Sequence, residues 1–133
     1  MRLVVALLSV VALAFAAPAS ADPPTEVKSV DVFPDVNPCT DTIMTVTIAS
    51  TAYVHEHGSR VFLHGERTIT TSDGFVGRGT DTFVDNGQII MFRQTDIVTN
   101  ASGDRFRARS VFVLDISTDT ARVESFELTC LRR

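Results

Sequence analysis

His55, His57 and His64 lie close together in the chain and are its only histidines. If Gly58-Ser59 forms a two-residue hairpin loop, residue 57 faces 60, 55 faces 62 and 53 faces 64. Side chains alternate along a strand, so Tyr53, His55, His57, Phe62, His64 and Glu66 share one face. His55 and His64 become diagonal neighbours. With Glu66 they make the two-histidine, one-carboxylate set that holds zinc or copper with a position left open. The same spacing also describes an ordinary solvated face, and a slip of one residue scatters the set. The register puts Val46, Ile48, Val54, Val61, Leu63 and Ile69 on the opposite face, which reads as the core.

A second constellation surrounds Asn86-Gly87, the dipeptide most typical of a tight hairpin. With that pair as the turn, Asp81 faces Phe92 and Asp96 faces Gly77. Asp81, Gln94 and Asp96 then stand beside Phe75, Phe83, Ile90 and Phe92 on one face. A mixed face of this kind suits a small ligand cavity, with Asp81, Gln94, Asp96 and Phe92 as the candidate contacts. It equally describes an outer face with exposed phenylalanines. Gly77 and Gly79 share a face of the preceding strand, where glycine calls for a bend or for packing beneath a large side chain.

Arg105, Arg107 and Arg109 line up by strand alternation as a basic stripe. Such a stripe binds an anion, or it pairs with acids on adjacent strands, for which Glu124, Glu127 and Asp96 are the candidates. Signatures of catalysis are missing: the sequence has no G-x-S-x-G, H-E-x-x-H, P-loop or C-x-x-C. His55-Glu56-His57 sits in a strand pattern, not on the helix a zinc protease motif needs. Asn100-Ala101-Ser102 is a glycosylation sequon that matters only in a eukaryotic secretory route.

The elements that carry these residues read as strands. Val27 to Phe33 suits an edge strand, or else residues 22–38 are an extended lead-in, punctuated by Pro23, Pro24, Pro34 and Pro38. From Thr42 the pattern turns to period two. Strands are expected over 42–55, 60–71, 75–84, 88–98, 105–117 and 121–130, separated by Gly, Asn, Asp and Ser turns. Six long neighbours joined by short turns predict an all-β antiparallel meander. The expected closure is a small up-and-down, lipocalin-like barrel, which removes exposed edges; a β-sandwich is the alternative. Ile89 to Phe92 is apolar on both faces, which predicts a cover over the outer one, either the N-terminal segment or a second subunit.

Met1-Arg2, the apolar run from Leu3 to Ala17, and Ala19-Ser20-Ala21 have the three parts of a secretory signal peptide. The expectation is cleavage after Ala21 and a secreted, extracellular product with no further membrane segment. Residues 39–133 then form a single β domain. The formal charge of −4 argues against nucleic acid as a partner. Cys39 and Cys130 both fall in the exported part, where a disulfide between them is the default.

The chain also resembles a group of small exported proteins of high-GC Gram-positive bacteria. The resemblance lies in Asn37-Pro38-Cys39-Thr40, the histidine-bearing hairpin, Gly77-Arg78-Gly79-Thr80, the Asn-Gly turn and Phe126-Glu127-Leu128-Thr129-Cys130. It spans most of residues 37–130 and implies export and the disulfide, without an activity. The leading functional expectation is a secreted, non-catalytic barrel that binds a small or extended ligand. An extracellular protein-interaction or cell-surface module is the second. A small barrel isomerase or cyclase is the third, and it needs Tyr53, Asp81 or Asp96 to converge in a pocket.

Overall fold

A computed structural model describes residues 22–131. The signal-peptide reading of residues 1–21 lies outside that range. The described chain is all β: β1 (Thr25–Val36), β2 (Ile43–His57), β3 (Arg60–Thr71), β4 (Val76–Asp85), β5 (Ile89–Thr99), β6 (Arg105–Asp115) and β7 (Thr120–Leu131). They form one antiparallel sheet in chain order, β1 to β7, so the meander is as expected. Val27 to Phe33 belongs to a full edge strand, paired along β2. No helix among the described residues is long and apolar enough to cross a membrane.

The first hairpin has the expected register, His57 facing Arg60 and Tyr53 facing His64. Gly58 takes a φ of +61°, the positive value a primed two-residue turn needs at its first position. The β4–β5 hairpin differs from expectation by two residues. Asp81 faces Gln94, not Phe92, and Asp96 faces Gly79, not Gly77. The cause is turn chemistry. Asn86 Oδ1 accepts from the amides of Gln88 (3.0 Å) and Ile89 (2.8 Å), and Asp85 Oδ1 accepts from Gly87 (2.8 Å). These side-chain bonds stabilise a longer loop than a bare Asn-Gly turn. A shift of two leaves every side chain on its predicted face.

The sheet curls but does not close. Among the described residues, β1 and β7 pair only with β2 and β6, so both remain edges. The curl brings the corner after β1 to the end of β7, where Cys39 and Cys130 form the expected disulfide with Cα atoms 4.9 Å apart. At that end, inward-facing Met44, Val46, Ile48, Ile69, Val98 and Phe106, with Phe75 from the β3–β4 turn, make the core. Phe75 and Phe106 pack with ring centroids 5.1 Å apart. Packing of this face against itself across the curl supplies the burial that a second layer would otherwise give.

Asn37 sets the corner that carries Cys39. Its side chain is fully buried. Its Oδ1 accepts from the Cys39 amide (2.8 Å) and its Nδ2 donates to Asp73 Oδ2 (2.7 Å) in the β3–β4 turn. The Asn37 carbonyl accepts from Asp41 at 2.8 Å. One carboxamide thus ties two neighbouring turns together at the disulfide end.

The N-terminal segment does not cover β5, contrary to one expectation. It forms β1 and pairs along β2, far across the sheet from β5. Ile89 to Phe92 are half-buried instead.

Candidate functional site

The inner face of the curl unites residues that sequence reasoning had assigned to two separate faces. Following the registers, Ile48, Ile69, Gly77, Val98 and Phe106 form one row across β2 to β6. The next row is Ser50, Arg67, Gly79, Asp96 and Ala108, and the next Ala52, Gly65, Asp81, Gln94 and Ser110. Beyond it come Val54, Leu63, Phe83, Phe92 and Phe112. A polar belt therefore crosses an otherwise apolar concave surface.

Arg67 is the centre of that belt and is 9% exposed. Its Nη2 lies 3.2 Å from Asp96 Oδ2, and its Nη1 lies 3.7 Å from Asp81 Oδ2. Gln94 Nε2 donates to Asp96 Oδ2 (2.7 Å), and Ser110 Oγ donates to Gln94 Oε1 (3.3 Å). Arg67 Nε, Asp81 Oδ1 and Asp96 Oδ1 are buried without a hydrogen-bond partner. Burial pushes the Asp96 carboxyl above its ordinary range. Arg67 and Gln94 act against that shift, and the Asp81 charge adds to it.

The glycines make this network possible. A Cβ on Gly79 would run into the Asp96 carboxylate and the Thr95 carbonyl, and one on Gly65 would run into the Asp81 carboxylate. Each carboxylate lies flat across the neighbouring strand over a residue with no side chain. At Gly77 the obstacle is backbone, the carbonyl of Ile97 and the Cα of Val98. Gly79 lies beneath a side chain, one of the two uses expected, whereas Gly77 allows close approach of the β5 backbone, which was not among them.

A cavity of about 430 Å³ opens above the belt. Arg67, Gln94 and Asp96 are polar groups on its wall. Met44, Val46, Ile48, Ile69, Val98 and Phe106 supply the apolar side. Asp31, Phe33 and Asp35 of β1 and Phe126 and Leu128 of β7 line it from the two unpaired edges.

Of the candidate ligand contacts, Gln94 and Asp96 line this cavity, and Asp81 joins them through Arg67. Phe92 lies two rows from Asp96, in the apolar band between Phe83 and Phe112. Arg67 escaped sequence reasoning. Its signal was its place in alternation with Leu63 and Ile69, a lone cation on the face read as core.

The histidine set lies on the outer face, as expected. His55 is exposed, its ring centroid 6.3 Å from that of Phe62. His64 is half-buried opposite Tyr53, and Glu66 is exposed opposite Thr51. Among the described residues, no group of three His, Cys, Asp or Glu side chains is arranged to hold a metal ion. Tyr53 also faces outward, away from Asp81 and Asp96.

The arginine stripe is on the outer face too. Arg107 pairs with Glu127 at 3.1 Å. Asp96 and Glu124, the other expected partners, face inward instead, because they sit at the opposite parity of β5 and β7. Thr129 and Arg107 hold the Glu127 carboxyl below its ordinary range by donating hydrogen bonds to it.

Comparison with protein-family models, curated proteins and solved structures finds no match to this chain.

Proposed function

We propose that the chain is a secreted precursor whose β domain binds a small, largely apolar ligand in the concave cavity. The observation that carries this reading is the placement of Arg67, Gln94 and Asp96 in a 430 Å³ space with otherwise mainly apolar walls. Small-molecule sites have that size and that composition, apolar walls with a few convergent polar groups. Export rests on the three-part segment ending at Ala21 and accords with the Cys39–Cys130 disulfide. Native mass spectrometry of protein taken from the culture medium tests both parts. The expected species begins at Asp22 and carries a removable small-molecule mass or takes up the neutral fluorophore Nile red. A chain retained with its first residues, or one that takes up neither, would sink the corresponding part.

A second reading, an interaction module, is favoured by the outer face. Phe62, Val84, Met91, Val113 and Val123 form one apolar row across β3 to β7. Phe62 and Val123 are each 45% exposed. Sedimentation velocity over a wide concentration range tests it with a second copy of the chain as partner. A monomer throughout counts against self-association.

A further inference from the structure

We propose that the concave cavity selects ligands that join an apolar body to an amine cation, an inference that rests on the cavity being a ligand site. The charge of its lining points there. Asp31, Asp35 and Asp96 face the space with Arg67 as the only cation among the lining residues. Arg67 is already engaged by Asp96 and by Asp81. Negative charge therefore exceeds positive charge around the cavity, with Asp96 buried at its floor, Asp35 half-buried and Asp31 exposed at its β1 rim.

The hydrogen-bond inventory agrees. Asp96 is 5% exposed, and its Oδ1 lies enclosed over Gly79 without a donor, so its charge is only partly answered within the fold. An ammonium group in the cavity supplies the missing positive charge. A carboxylate ligand would add a like charge beside three others. A neutral ligand would fill the apolar side and leave the imbalance. The upward push on the Asp96 carboxyl is what a buried acid shows when Arg67 does not fully offset its desolvation. Phe33, Phe106 and Phe126 also line the cavity, and aromatic faces attract cations.

The test uses the secreted, disulfide-bonded protein with Nile red as the cavity probe. Phenethylamine, phenethyl alcohol and hydrocinnamate share a phenyl body and differ in charge. Phenethylamine should displace Nile red roughly tenfold more tightly than the alcohol, and hydrocinnamate should be the weakest. Asp31→Asn with Asp35→Asn removes two charges at the β1 edge and leaves an amide oxygen to accept from the Val36 N–H. This variant should lose much of the amine preference, read as the ratio of its amine to its alcohol affinity. Asp96→Asn should lower the preference further, with circular dichroism confirming the fold.

Equal affinity for amine and alcohol, preference for hydrocinnamate, or an amine preference untouched by all these substitutions would overturn the inference. In each of those cases Nile red binding persists and the cavity reading stands. Failure of Nile red and of all three phenyl compounds to bind would remove the cavity reading itself.

Discussion

Arg67 on β3 and Asp96 on β5 meet at 3.2 Å across a whole intervening strand, because the residue between them on β4 is Gly79. Strands two apart are separated by roughly 10 Å, so such a pair needs long side chains and nothing standing between them. Gly79 supplies the clearance, and the curl of the sheet shortens the span. The pair occupies the floor of the cavity, so the same glycine serves both fold and site.

Arg67→Met should destabilise the domain by about 3–5 kcal/mol, because it leaves the buried Asp96 and the half-buried Asp81 without their cation. Urea unfolding measures the loss. Adding Asp81→Asn and Asp96→Asn should restore part of it, since neutral amides need no counter-charge. A loss below about 1 kcal/mol for the single variant would mean that water already screens the cluster.

Gly77→Ala and Gly79→Ala should differ in a defined order. The Gly79 methyl meets chiefly a carboxylate that can swing aside, for a cost of about 1–3 kcal/mol. The Gly77 methyl meets only the backbone of β5, which cannot move without opening the sheet. Thermal unfolding should rank Gly77→Ala as the more damaging. The reverse order would contradict the close approach of the β5 backbone at Gly77.

Asn37→Ala should cost about 1–3 kcal/mol, since it strands the Cys39 amide and removes a donor from Asp73. Chemical denaturation checks the magnitude. Proteolysis near residues 37–42 should become faster, because the corner loses the side chain that ties it to the β3–β4 turn.

Replacing both Cys39 and Cys130 by serine should cost about 2–5 kcal/mol, chiefly by freeing the unfolded chain. The bridge spans a sequence separation of 91 residues. A double variant with unchanged unfolding midpoint would show that the curl holds without it.

Stability should fall on acidification, with one group acting against the trend. The carboxyls of Asp73, Asp115 and Glu127 all lie below their ordinary values. At Asp73 burial alone would raise the value, but hydrogen bonds from Thr71 and Asn37 together outweigh it. Ser117 and Arg122 hold Asp115 down. These groups contribute stability that is full above their unfolded values and is lost as pH falls through the folded ones. Asp96 is shifted upward, so its proton is bound more tightly in the folded chain. Its contribution is favourable at low pH and declines as pH rises from the unfolded value through the folded one. Unfolding free energies from neutral pH down to about pH 3 should therefore fall less steeply in wild type than in Asp96→Asn.

Strand positions were legible in the sequence because polar and apolar residues alternate and Gly, Asn and Asp mark the turns. Which residues share a face was legible for the same local reason, so the histidines fell outward and Asp81, Gln94 and Asp96 fell together. The disulfide followed from two cysteines in a chain with an export signature. Arg67 was not recognised, because its meaning lies in partners on β4 and β5 and not in its own strand.

The remaining features came from the tertiary structure. The β4–β5 register depended on the Asn86 side chain accepting from the Gln88 and Ile89 amides, which adds to the backbone bond from Asn86 to Ile89 and holds the longer loop. Alternation alone left open whether the face carrying Asp96 was the face carrying Ile69. Pairing through Gly77 and Gly79 joined them. The curl, and its stopping short of closure, depends on summed packing around those glycines and on the tie between Cys39 and Cys130. Local patterning determines which side chains travel together along a strand, but the enclosure of a cavity is decided by contacts between strands far apart in the chain.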